Sequence, residues 1–182
     1  MKPLHFASAV ALAALAFTAP ASAKNPMVGG AAMHASDTIV TNASKAKNLT
    51  TLVAAVTAAG LVDTLSSAGP FTVFAPTDAA FAKLPAGTVE TLVKPENKDT
   101  LTKILTYHVV PGRITAGQIK AMAMHHHGVA TLTTVQGETL KFRKAGKGFQ
   151  VIDAKGGHAH ITIANVMQSN GVVHVIDSVL MP

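Results

Sequence analysis

Apolar positions first recur at helical spacing and then, from Val129 onward, alternate with a period of two. Asn48 is placed to cap a helix in which Leu49, Leu52, Val53 and Val56 share a face, and Gly60 marks its end. Ahead of it, Ser36 or Asp37 can cap a helix through Ile39 and Val40; residues 61–66 add a short helical turn. Phe71-Thr72-Val73-Phe74 is a brief β-type run stopped by Ala75-Pro76. Thr77 or Asp78 can cap the next helix, with Ala80, Phe81 and Leu84 on one face, until Pro85-Ala86-Gly87 breaks it. Residues 89–93 read as a further turn, and residues 96–107 as a well-formed helix with Leu101, Ile104 and Leu105 on its buried stripe. Thr115-Ala116-Gly117-Gln118 is a capping-box pattern that opens one more helix.

Five strands are expected at residues 129–135, 139–143, 149–153, 161–166 and 172–176. Gln136-Gly137, Ala145-Gly146, Gly156-Gly157 and Asn170-Gly171 separate them. Asn170-Gly171 predicts a two-residue type I′ hairpin, which needs positive φ at both positions. Helices first and strands second predict an α+β domain, with no βαβ alternation, internal repeat or low-complexity tract.

With 182 residues the chain has room for one domain, and 48% apolar residues suit a packed core. Lys2, the apolar stretch 4–17 and Ala21-Ser22-Ala23 read as a secretory signal peptide cut before Lys24. The expected organisation is a signal peptide at 1–23, a linker at 24–35 rich in small residues, and the domain at 36–182. The localisation that follows is secreted or periplasmic. The apolar stretch is too short to span a bilayer comfortably, so no membrane span is expected. Without cysteine there is no disulfide, no thiol nucleophile and no thiolate metal site. The formal charge is +6, and Lys141, Arg143, Lys144 and Lys147 cluster. One Tyr and no Trp accompany them, so the cluster reads as a solvated hairpin tip with weak attraction to anionic polymers or membrane surfaces. A nucleic-acid partner is not expected.

Three segments carry a family likeness. Residues 71–81, FTVFAPTDAAF, resemble the first signature of the fasciclin domain family. Tyr107-His108-Val109-Val110 resembles its central Tyr-His element, and residues 170–177, NGVVHVID, are similar to its second signature. The resemblance covers about residues 36–182 and implies a fasciclin-type wedge of antiparallel strands flanked by short helices. It implies no catalytic residues and no cofactor. Members are extracellular, periplasmic or surface-attached modules associated with adhesion and matrix contacts. That implies a non-enzymatic module whose partner is a cell-surface or matrix protein or polysaccharide. The resemblance also makes Tyr107 and His108 candidates for partner contact, since some animal members adhere through this region. Read from the residues alone, a Tyr-His pair at a helix end before Val109-Val110 is a core element with its polar tips hydrogen-bonded. His174, inside an apolar strand, reads the same way. The Asp-Ile element of adhesive animal members is not evident here, where Ile176 precedes Asp177.

Histidine is what the resemblance leaves unexplained. His125, His126 and His127 follow Met122 and Met124, and His158 and His160 share one face of an extended segment. Imidazole and thioether suit copper, and imidazole suits zinc or nickel, so these five residues define a candidate metal site. A periplasmic metal-binding protein is therefore one alternative function. A carrier of a small apolar ligand or lipid is the other, if the wedge leaves an open pocket. No nucleophile elbow, phosphate loop or His-Glu-x-x-His is present, and Asp177-Ser178 lies too close in sequence to His174 to converge as a triad. Asn42-Ala43-Ser44 and Asn48-Leu49-Thr50 match the glycosylation pattern and are read as helix caps or surface polar residues.

Overall fold

The computed structural model describes residues 25–182; the expected signal peptide at 1–23 lies outside them. A seven-stranded sheet has short helices packed against both of its faces. The first half contributes α1 (Ile39–Lys45), α2 (Thr50–Ala58), α3 (Val62–Ser66), β3 (Phe71–Pro76), α4 (Asp78–Ala82), α5 (Thr88–Leu92) and α6 (Lys98–Tyr107), after a small ribbon of β1 (Met27–Val28) and β2 (Ala31–Ala32). The second half contributes β4 (Val109–Pro111), α7 (Ala116–His125), β5 (Val129–Thr133), β6 (Thr139–Ala145), β7 (Gly148–Ile152), β8 (His158–Gln168) and β9 (Gly171–Ile176).

The sheet order is β4-β3-β9-β8-β7-β6-β5. The expected antiparallel wedge needs correction, because β3 and β9 pair in parallel, Phe71 opposite Gly171 through Pro76 opposite Ile176. The sheet also curls until its two edges nearly meet, where Val135 N donates to Val109 O at 2.8 Å. The two parallel strands are buried along nearly their whole length, as parallel strands covered on both faces must be. Their alternating side chains divide the interior in two. Val73, Ala75, Val173 and Val175 face the helices, against Ile39, Leu52, Leu65, Phe81, Leu101 and Leu105. Phe74, Val172 and Ile176 stay buried on the opposite side, where Phe74 and Ile176 join Tyr107, Ile119, Leu140, Phe142, Val151 and Leu180 inside the curl.

Three local expectations are replaced. From Asn25 the segment read as a linker folds onto the domain, with Val28 1% and Met33 2% exposed in the helical core. Asn48 does not cap α2; the Asp78 carboxylate accepts from Thr51 N (2.8 Å) and Thr50 Oγ1 (2.7 Å) instead. Thr38, rather than Ser36 or Asp37, caps α1 by accepting from Thr41 N, while Asp37 pairs with Lys45. The capping box at Thr115 and Gln118 is present.

Candidate functional site

Tyr107 ends α6 and His108 follows it, which carries both rings into the interior. Tyr107 is 0% and His108 2% exposed, so neither residue expected to touch a partner reaches the surface of the folded domain. The Tyr107 hydroxyl accepts from Ala154 N at 2.8 Å and donates to Thr139 O at 3.3 Å. Burial holds this phenol above its ordinary pKa. His108 Nδ1 donates to Ile104 O (2.8 Å), and its Nε2 accepts from Leu180 N (3.0 Å). Burial pushes His108 down to about 4, so it stays neutral with its proton on Nδ1. The pair ties the end of α6 to the β7–β8 turn and to the C-terminal segment.

His174 follows the same rule with the other tautomer. It is fully buried and stacks on Phe74, with ring centroids 5.4 Å apart. Its Nε2 donates to Ile114 O (2.9 Å) and Nδ1 accepts from Asn165 N (3.3 Å). Burial lowers its pKa as well.

The exposed histidines do not converge. His125 ends α7 and His126 and His127 follow it, whereas His158 and His160 sit on β8. Three strand steps separate β8 from β5, which starts just after the triple run, ~14 Å at ordinary inter-strand spacing. Among the described residues no three His, Asp or Glu side chains are placed to hold one ion. His160 instead stands 3.5 Å from Asp177, which also faces Lys83 at 3.7 Å. Ser178 Oγ accepts from Lys83 and donates to Asp177 Oδ1 rather than to an imidazole, so no acyl-transfer triad forms there.

The apolar-ligand alternative meets a filled core. An apolar cavity lined by Leu52, Val56, Leu65, Val73, Leu105 and Val109 holds about 40 Å³. A small-molecule pocket is ~300–1,000 Å³ and encloses its ligand. The hollows of that size here, about 370 Å³ beside Phe81 and Val89 and about 330 Å³ beside Ile114 and Met122, are open clefts on the surface.

One grouping crosses elements that the sequence reading kept apart. Strand register sets Lys141 beside Ile152 and His158, and Arg143 beside Gln150 and His160, all on the outward face. The sequence treated the basic run and the two imidazoles as separate features. The signal that joins them is the pair of short turns linking β6, β7 and β8, which makes these strands neighbours.

Comparison with known proteins agrees with this architecture. The fasciclin domain model matches residues 47–182, so the chain belongs to the fasciclin domain family. It is 51% identical over 160 residues to protein sll1483 of Synechocystis, covering 87% of this chain and 81% of that one. It is 36% identical over 195 residues to immunogenic protein MPB70 of Mycobacterium bovis, covering 97% and 92%. Cell surface glycolipoprotein MPB83 of the same species is 38% identical over 167 residues, covering 88% and 68%. A solved FAS1 domain pair from the insect cell adhesion molecule Fasciclin I superposes with a TM-score of 0.70 at 19% identity, over 80% of this chain and 51% of that one.

Proposed function

We propose that this protein is an exported, non-enzymatic binding module that contacts a cell-surface or matrix partner, after cleavage between Ala23 and Lys24. The observation that carries the reading is the fasciclin domain spanning residues 47–182, together with a cell-surface relative that aligns over 88% of the chain. The interior supports it. His108 and His174, the histidines buried in the core, have both ring nitrogens engaged by the backbone, leaving neither free to act as a general base. Among the described residues no helix is long and apolar enough to cross a membrane. The test is binding of purified, labelled protein to intact cells and isolated envelope. Saturable binding that unlabelled protein displaces is expected; a signal that never saturates overturns the reading.

A further inference from the structure

Positive charge is unevenly distributed over the described chain. Residues 25–103 carry six Lys and six Asp or Glu, whereas residues 104–182 carry seven Lys or Arg against three Asp or Glu. The excess gathers on the outer face of β5–β8. There the outward positions of the four strands hold Lys141, Arg143, His158 and His160 among Thr131, Thr133, Thr139, Gln150 and the half-buried Val129 and Ile152, with no carboxylate. Lys147, exposed in the β6–β7 turn, and Lys155, exposed in the β7–β8 turn, stand at the two ends of these strands. The five residues of β7 alone carry this track ~17 Å.

The three acidic residues of this half leave the track open. Asp153 is 8% exposed and turned inward, accepting from the backbone of Lys155, Gly157 and Met181. Asp177 lies at the far margin, shared by Lys83 and His160, and Glu138 sits in the β5–β6 turn beside Gln136. Lys141, Arg143, Lys147 and Lys155 form no ion pair among the described residues.

We propose that this face binds an acidic polysaccharide, its carboxylates or sulfates lying along the Lys147–Arg143–Lys141–Lys155 track. The inference rests on the surface-binding function above and names the chemistry of its partner. Charge complementarity carries it: unpaired cations in a row on a rigid sheet attract a linear polyanion and release its counterions. Two other polyanionic surfaces fit less well. A membrane binder inserts apolar side chains, but of the large hydrophobics most exposed among the described residues Met27 and Met124 lie on other elements, and Val135 follows β5 at the seam with β4, beside Val109. Binding of single-stranded nucleic acid uses aromatic platforms, and no aromatic side chain points outward here.

The test measures binding of the chain from residue 24 to alginate, to neutral dextran, to phosphatidylglycerol vesicles and to a DNA duplex, at two salt concentrations. Alginate binding is expected, with none to dextran, and it should weaken steeply between about 50 and 200 mM salt. The K141Q/R143Q pair should weaken it by about tenfold or more at low salt and flatten the salt dependence. The K94Q/K103Q pair, which removes the same charge from the helical half, should leave it within about twofold. Equal losses from both pairs reduce the effect to net charge and overturn the inference. Tighter binding of vesicles or DNA than of alginate at about 150 mM salt also overturns it. Cell binding that survives K141Q/R143Q overturns this inference alone; absence of cell binding by the wild type overturns the function beneath it.

Discussion

Gly171 begins β9 against the backbone of Phe71, and a methyl group there would overlap the Phe71 carbonyl oxygen. The glycine is required by this close approach, and the expected type I′ turn is absent. Gln168 pairs with Gly171, so the two-residue loop is Ser169-Asn170, and neither Asn170 nor Gly171 has positive φ. Local dipeptide chemistry could show that a hairpin lies here. It could not show a strand that arrives from a hundred residues earlier. Gly171→Ala should therefore cost about 2–4 kcal/mol by urea unfolding. Gly146→Ala, at φ 59 with open space around it, should cost only about 1 kcal/mol. Equal effects would mean that β3 and β9 do not approach closely. The burial of His108 gives a second residue-scale expectation. As pH falls, the unfolded chain takes up this proton near 6.5, the folded chain only near 4. Stability is thus lost across that window, by about 3 kcal/mol for His108, and His174 acts in the same direction. Urea midpoints at pH 7 and pH 4.5 should differ clearly; a flat profile contradicts the neutral, buried imidazole.

Between elements, Asn170 is the tether that a turn-based reading passes over. Its Oδ1 accepts from Ile39 N at the start of α1 (3.0 Å), and its Nδ2 donates to Leu65 O (2.7 Å) and Ser67 O (2.9 Å) at the end of α3. Asn170→Ala leaves these buried groups without partners and should cost about 2–4 kcal/mol, read by thermal or urea unfolding. A loss under about 0.5 kcal/mol would show that the helices do not depend on the hairpin. The element types were largely legible, because the switch from helical spacing to alternation is written in the side chains. Their partners were less so. The near-continuous apolar character of FTVFAP and GVVHVI was the available sign that β3 and β9 lie buried side by side. The cap of α2 was hidden for a similar reason, since Asp78 reaches it from 27 residues away along the chain.

At the scale of the whole molecule, the domain begins earlier than its composition suggests. Glycines and small residues made 24–35 look like a linker, yet Val28 and Met33 fill the helical core and Lys47 N donates to Gly29 O. A chain starting at residue 36 should lose about 2–4 kcal/mol relative to one starting at residue 24, because two buried apolar side chains are removed. Equal stability of the two would restore the linker. The candidate metal residues were legible as histidines but not as a site, because convergence depends on how many strands separate them. The measurement closest to the central claim is equilibrium binding of the labelled chain from residue 24 to intact cells, with heat-unfolded protein as control. Saturable binding by the folded protein, displaced by unlabelled protein and absent from the unfolded control, is the predicted result. Binding that is linear with concentration, or the same for folded and unfolded chains, would contradict a folded surface-binding module.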